Sequence, residues 1–222
     1  MITLGIDTSA AEGGVALCKD DETLTELMME SPLQHAEELV PLINEALDRC
    51  EMKISDIDLV SVNSGPGSFT GLRIGLATAK GICQAAKIPL VGIDGWQMFR
   101  ERAVSDADAR VCVVIENRRD LYYVQWFVGE IPLHEAAVLT GDKVVERICA
   151  EKRPVRVVGS GVARLRERLA ECCLADCASD ELNQQSPAFI ARLGARRFSQ
   201  DQLYSLEPVY VEPILARINK EF

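Results

Sequence analysis

Short apolar runs with a two-residue period open the chain. ITLGID (2–7), GVALCK (14–19) and TLTELMME (23–30) read as strands, with Asp20-Asp21-Glu22 as a turn between the last two. The pattern breaks at Ser31-Pro32. HAEELVPLINEALDRC (35–50) then follows a helical period, and Pro41 inside it is a point where a kink is expected. DLVSVNS (58–64) is a buried strand that runs into a glycine loop. TGLRIGLATAKGICQAAK (70–87) is a second helix and IPLVGID (88–94) a further strand.

The second half repeats this order. RVCVVIEN (110–117), LYYVQWFV (121–128) and LHEAAVL (133–139) read as strands, and GDKVVERICAE (141–151) as a helix. PVRVVGSG (154–161) is a strand ending in glycines, followed by the helix VARLRERLAECC (162–173). A last helix, SPAFIARLGARRF (186–198), precedes the tail EPVYVEPILARINKEF. The polar stretch RERAVSDADA (100–109) is the expected hinge. The expected fold is α/β, with two similar lobes at 1–104 and 105–222, each a mixed sheet with packed helices.

The two helices of the first half carry more apolar surface than one contact needs. On helix 70–87, Arg73, Lys80, Gln84 and Lys87 share a sector of roughly 60°. Leu72, Leu76 and Cys83 form a bulky ridge. Gly71, Gly75, Thr78, Gly81 and Ala85 form a second face with almost no side chain, flanked by Ile74 and Ile82. Each interior glycine costs roughly 1 kcal/mol of helix stability relative to alanine, and close approach of another backbone is the simplest compensation. On helix 35–50 the apolar residues span roughly 160°. Two readings stay open. Both helices are sandwiched inside the chain, or they form a subunit interface through Leu39, Leu42, Ala46, Gly71, Ile74, Gly75, Thr78 and Ile82. The second reading expects Gly75→Leu to leave the fold largely intact and to abolish partner binding.

Composition narrows the function. The chain has 222 residues, 48% of them hydrophobic and 26% charged, as in an ordinary globular protein. No apolar run approaches the ~20 residues of a membrane span. MITLGIDTSA has no basic leader, so a cytoplasmic chain is expected. The net charge is −10 and basic residues are scattered, which disfavours direct binding of nucleic acid. Most of the eight cysteines sit in apolar runs and read as reduced, buried thiols. Cys172, Cys173 and Cys177 cluster, without zinc-site spacing or a neighbouring histidine.

Catalytic signatures are sparse. The glycines at 65, 67 and 71 fit neither a Walker A loop nor the G-x-G-x-x-G fingerprint. The helix start after them could attract an anion, and Ser68 or Thr70 would cap it equally well without one. The two histidines, His35 and His134, are far apart, and no G-x-S-x-G occurs. Asp7, at the end of the first strand, is the best single catalytic carboxylate, and Glu116 holds the matching place in the second half. Facing each other, they would suit a nucleotide–metal cleft.

LGIDTS, SGPGSFTGLRIGLATAKG (64–81), IPLVGID and EPVYV together resemble the bacterial TsaB (YeaZ) proteins, of the actin-like, sugar-kinase and heat-shock-protein ATPase superfold. The resemblance covers nearly the whole chain and implies a duplicated lobe. It implies a non-catalytic subunit that associates with TsaD, a homologous catalytic subunit, and with the ATPase TsaE. That assembly transfers threonylcarbamoyl to the adenosine next to the anticodon of tRNAs reading ANN codons. The helices matching 35–50 and 70–87 would bundle with the partner, or with a second copy when the partner is absent. The catalytic relative holds a metal through paired histidines, and this chain lacks the pair. ATP, ADP and metal would belong to the partner subunits, with none bound by the chain alone, and tRNA would be reached only through the complex. Candidate nucleotide or anion contacts at the complex interface are Asp7, Ser68, Phe69, Thr70, Arg73 and Arg118. The chain departs from the family's Asp-Ala-Arg at Glu116-Asn117-Arg118 and from its Tyr-Leu-Arg at Tyr210-Val211-Glu212. The alternative is a free-standing kinase or ATPase of the superfold, or a glycoprotease-type peptidase. It rests on Asp7, Glu116 and the glycine turns at 65–67 and 159–161.

Overall fold

A computed structural model describes residues 1–29, 35–103 and 108–211. The expected break at Ser31-Pro32, the expected lobe boundary at 104/105 and the tail beyond Val211 lie outside them. Two sheets organise the chain. In the first, β1 (Ile2–Asp7), β2 (Gly14–Lys19) and β3 (Glu22–Met28) form antiparallel hairpins, while β4 (Leu59–Gly65) and β5 (Leu90–Asp94) run parallel to β1. The order is β3-β2-β1-β4-β5. The crossovers are the helices α1 (His35–Arg49) and α2 (Phe69–Ala86), and α1 continues through Pro41 as one element.

The second sheet contains β6 (Arg110–Glu116), β7 (Leu121–Val128), the short β8 (Ile131–Pro132), β9 (Ala137–Thr140), β10 (Val155–Val158) and β11 (Ala175–Cys177). Its path β9-β7-β6-β10-β11 repeats the first sheet strand for strand, with the same antiparallel and parallel pairings. The helices α4 (Gly141–Cys149) and α5 (Val162–Leu169) stand where α1 and α2 stand in the first. The duplicated α/β architecture expected from the run of elements is therefore the one observed.

Two local expectations are corrected. Residues 100–103, assigned to a hinge, belong to a helix, α3 (Gly95–Ala103). Asp94 caps it, accepting from Gln97 N at 2.8 Å, and Trp96, Met98, Phe99 and even Arg100 are buried. The charges at 100–102 hide that periodicity. The strand expected over 133–139 forms only from Ala137. The short elements β11 and α6 (Asp180–Asn183) are too brief to carry a period.

Alternation along the strands sorts the core into layers. In the first sheet, Leu4, Ile6, Val15, Leu17, Val60 and Val62 pack with residues of α1 and α2. The opposite face is built from small residues and receives α7 (Pro187–Arg197). A Cβ on Gly5 would meet Pro187 O at 2.2 Å, and Ser61 Oγ donates to Ile190 O at 2.8 Å. Glu26 on β3 accepts from Ala188 N at 2.9 Å and holds the start of α7. In the second sheet, Cys112, Val114, Tyr122, Val124, Trp126, Val155 and Val157 pack with α4 and α5. Its other face, with Val111, Val113 and Ile115, meets Ile93, Phe99 and Ile190, so α3 and α7 sit in the layer joining the two sheets. Past α7 the chain lies along the β5 edge. Gln202 N donates to Leu90 O at 2.8 Å and Gly92 N to Gln202 Oε1 at 2.8 Å, which covers backbone groups that an open edge would expose.

Candidate functional site

The glycine loop after β4 closes on the end of β1. Asp7 is fully buried there: its Oδ1 accepts from Ser9 N at 2.9 Å and Ser9 Oγ at 2.7 Å, and its Oδ2 from Asn63 Nδ2 at 2.9 Å. Asn63 Oδ1 accepts from Gly65 N at 2.9 Å. Ser68 N donates to Ser9 O at 2.7 Å, and Thr8 Oγ1 donates to Gly71 O at 2.7 Å. Only glycine suits these positions. Gly65 has φ 110°. A Cβ would lie 2.2 Å from Ser9 O at Gly67, 2.0 Å from Thr8 O at Gly71, and 2.2 Å from Thr8 Oγ1 at Gly75.

The small residues at 71 and 75 thus let α2 approach this chain's own Thr8-Ser9 turn, which already fills the space beside them. Gly71 and Gly75, with Leu39 and Ala46, are inside the protein. The expectation for Gly75→Leu is overturned with them, since leucine has no room beside Thr8. The other four candidate interface residues do reach the surface: Leu42, Ile74, Thr78 and Ile82 are half-buried. Ile74, Thr78 and Ile82 recur every four residues and share one face of α2. Beside them runs a second row, Ala77, Gly81 and Ala85, all exposed, and nothing lies within 4 Å of a Cβ placed on Gly81. α1 packs against α2 and exposes Val40 at 49%. The outer side of α2 is therefore a low-relief, weakly polar face. Arg73 and Gln84 are exposed on α2 and Lys87 at its C-cap, and Glu37, Glu45 and Asp48 on α1.

A cleft of about 1080 Å³ separates the lobes. Ser68 and Phe69 line it from the first lobe; Glu116, Arg118, Ser160 and Asp180 line it from the second. Ser68 Oγ also caps α2, accepting from Gly71 N at 3.2 Å. Glu116 accepts from Arg164 at 2.8 Å. Of the six candidate nucleotide or anion contacts, Ser68, Phe69 and Arg118 face this space. Arg73 stands at its rim, with its guanidinium 3.7 Å from the Phe69 ring centre and its Nε donating to Tyr210 Oη at 3.1 Å. Thr70 is exposed on the first turn of α2. Asp7 does not line the cleft, because its carboxylate is enclosed in the Ser9–Asn63 network, so no Asp7–Glu116 pair faces across it. Tyr210, in the EPVYV segment, packs against Phe69 with ring centres 5.2 Å apart, a contact that the segment's motif does not reveal.

A second cavity of about 560 Å³ lies between α3 and the β7–β9 connection. Asp94, Trp96, Arg100, Phe127 and His134 line it. Burial pushes the Asp94 carboxyl above its usual range, against the lowering effect of its bond from Gln97 N. Arg100 is buried and donates to Gly129 O at 3.2 Å and Glu101 Oε1 at 3.0 Å. Among the described residues no cluster of three His, Cys, Asp or Glu side chains is placed to hold a metal. No helix of the described residues is long and apolar enough to cross a membrane.

Known proteins with related sequences and folds point one way. The family model for "TsaD: tRNA N6-adenosine threonylcarbamoyltransferase" matches residues 30–146. The chain is 25% identical over 218 residues to the "tRNA threonylcarbamoyladenosine biosynthesis protein TsaB" of Bacillus subtilis, covering 95% of this chain and 94% of that one. In fold it is similar to YeaZ from Pseudomonas aeruginosa, with a TM-score of 0.73, 24% identity and coverage of 94% and 99%. It is also similar to a Bacteroides thetaiotaomicron protein described as having an actin-like ATPase fold, at a TM-score of 0.52, 9% identity and coverage of 82% and 92%. Both structural likenesses speak to fold alone.

Proposed function

The chain belongs to the family described as "TsaD: tRNA N6-adenosine threonylcarbamoyltransferase", and from that premise we propose that it is a non-catalytic subunit for threonylcarbamoyladenosine formation in tRNA. It docks a TsaD-like catalytic subunit through the outer strip of α1 and α2, works beside a TsaE-like ATPase, and pairs with a second copy of itself when the catalytic subunit is absent. The observation that carries this reading is the face of α2 on which Ile74 and Ile82 stand half-buried beside the exposed low row Ala77, Gly81 and Ala85. Burying one large aliphatic side chain contributes about 1.5–3 kcal/mol. Ile74 and Ile82 are already half-buried, so each contributes part of that, and the low row beside them lets a partner approach closely. The charged rims of α1 and α2 steer and align the encounter more than they strengthen it.

The state of Asp7 supports a role without chemistry in this chain. A carboxylate at a strand end could serve a reaction only with a free oxygen lobe toward the cleft. Here it accepts from Ser9 and Asn63 and is fully buried. In this reading ATP, ADP and metal are held by the partner subunits. Ser68, Phe69, Arg73 and Arg118 are the groups of this chain nearest to where a shared ligand would sit. tRNA is reached only through the assembly, in keeping with the −10 charge.

One observation favours a second reading, a free-standing ATP-binding enzyme of the superfold or a glycoprotease-type peptidase: the open interlobe cleft of about 1080 Å³ with Glu116 and Ser160 on its wall. Reconstitution separates the two. A TsaD-like subunit, a TsaE-like ATPase, tRNA, ATP and the threonylcarbamoyl donor are combined with and without this chain, and modified adenosine is measured. The proposal expects modification to require the chain and to fail with an Ala77→Glu/Ala85→Glu variant, whose positions are exposed. Full modification without the chain contradicts it, and saturable heat on titrating the isolated chain with ATP and magnesium favours the second reading.

A further inference from the structure

We infer that the row from Arg73 to Lys87 on α2, with the tyrosines of the segment beyond α7, is a contact strip for single-stranded RNA, and in the proposed assembly for an unpaired stretch of its tRNA. The inference rests on the docking reading above, since the row runs beside the low face of α2. Phe69, Arg73, Lys80, Gln84 and Lys87 share one sector of the helix. From Arg73 to Lys87 the helical rise carries the row over about 21 Å. Arg73 and Lys87 are exposed and Lys80 is half-buried. The segment beyond α7 runs alongside: Tyr204 Oη donates to Gln84 Oε1 at 2.9 Å, and Tyr210 Oη accepts from Arg73 Nε at 3.1 Å. Tyr204 is 83% exposed and Phe69 43%.

Charge without a partner sets this row apart. α2 contains no Asp or Glu, and among the described residues Arg73, Lys80 and Lys87 make no ion pair. The cations of α5 are neutralised instead, Arg164 by Glu116, Arg166 by Asp180 and Arg168 by Asp120. On the adjoining segment, Asp201 is turned to backbone, accepting from Leu90 N at 2.9 Å and Leu203 N at 3.0 Å, and Glu207 is exposed. At physiological salt a charge is felt over only about 8 Å. A polyanion lying along α2 therefore meets three free cations, although the whole chain stands at −10.

Cations alone would suit any acidic surface, and the aromatic groups set among them select nucleic acid. The Arg73 guanidinium lies 3.7 Å from the Phe69 ring centre, and the Tyr210 hydroxyl holds its Nε edge. Unpaired bases stack on a guanidinium presented in this way and on exposed aromatic rings, while lysines follow the phosphates. A stacking group thus stands toward each end of the row, Arg73 at one and Tyr204 at the other, with Lys80 between them and Lys87 one turn beyond Gln84. A duplex has no free base faces to offer, so the strip fits a loop or an end in which the bases are unstacked.

The test measures binding of a tRNA transcript to the assembly of the whole chain with a TsaD-like subunit at several salt concentrations, with sedimentation of the same mixtures without RNA. Lys80→Gln with Lys87→Gln should leave sedimentation unchanged, weaken RNA binding about tenfold and reduce the slope of log affinity against log salt by about 1.4. Tyr204→Ala, at an exposed position, should weaken binding about fivefold or more with the slope unchanged. Unaltered RNA affinity for either variant, in assemblies that form, would overturn this inference and leave the docking reading standing. Loss of assembly by the lysine variant, with its denaturation midpoint unchanged, would assign the row to an acidic protein surface and also overturn it. Failure of the unaltered chain to assemble would overturn the docking reading, and this inference with it.

Discussion

The helix pairs α1/α2 and α4/α5 occupy the same places on two sheets of the same topology, yet their outer faces differ. α4 and α5 bury Val144, Ile148, Val162, Leu165 and Leu169 and expose Lys143, Glu146, Arg147, Arg164, Arg166, Glu167 and Arg168. Several of these charges are paired: Arg168 with Asp120 at 2.9 Å, and Arg164 with Glu116 at 2.8 Å. That is the ordinary one-sided helix, finished for water. α1 and α2 bury an equivalent inner face, leave Val40 and the row Ala77, Gly81, Ala85 exposed, and keep Leu42, Ile74 and Ile82 half-buried at the edge of the core. A duplicated fold thus supplies its own control. What the sheet requires is common to both pairs, and what remains on the outside of one pair alone is the surface to explain.

The sharpest way to probe this difference is at the glycines, because those of α2 serve two purposes. Gly71→Ala pushes a methyl toward Thr8 O and should destabilise the fold by about 3 kcal/mol or more in urea denaturation. Gly81→Ala meets open space and should stabilise it by about 0.5–1 kcal/mol. Equal effects at the two sites would erase the distinction between inner and outer glycines.

Association should separate the pairs next. Ala77→Glu with Ala85→Glu, at two exposed positions of α2, is expected to weaken binding to a TsaD-like subunit at least tenfold, about 1.4 kcal/mol or more, with a nearly unchanged denaturation midpoint. Glu167→Lys on α5 should leave that affinity unchanged. Sedimentation of the mixed subunits reads both.

Smaller effects sharpen the description of the inner faces. Ser61→Ala removes the bond to Ile190 O that fastens α7 to the first sheet and should cost about 1 kcal/mol. Asp94→Asn keeps a capping side chain but removes a carboxyl whose folded pKa burial has raised. Such a group holds its proton more tightly folded than unfolded. Its contribution is present below the unfolded value of about 3.9 and is lost as pH rises through the folded value. The variant should therefore flatten the stability profile just above pH 4 and gain slightly at neutral pH.

Much of the fold was legible because the strands are long and periodic: ITLGID and RVCVVIEN each declare one buried strand, and the order of elements declares the duplication. α3 was hidden because Arg100 and Arg102 look solvated, although Arg100 is buried against Gly129 and Glu101. The docking face was half legible. The surplus of apolar residues on α1 and α2 is visible in a helical projection. Which small residues lie inside is not, because that depends on Thr8, sixty-three residues before Gly71. Four of the eight candidate residues consequently fell on the wrong side of the helices. Asp7 was misread for a similar reason: its position at a strand end is in the sequence, and its enclosure by Asn63 is a tertiary fact.

The most direct test of the central claim is hydrogen–deuterium exchange of the whole chain with and without a TsaD-like subunit. Added protection should appear in residues 36–49 and 69–86 and be absent from 141–149 and 162–169. Protection confined to α4 and α5, or none on α1 and α2 in a complex shown to form, would contradict it.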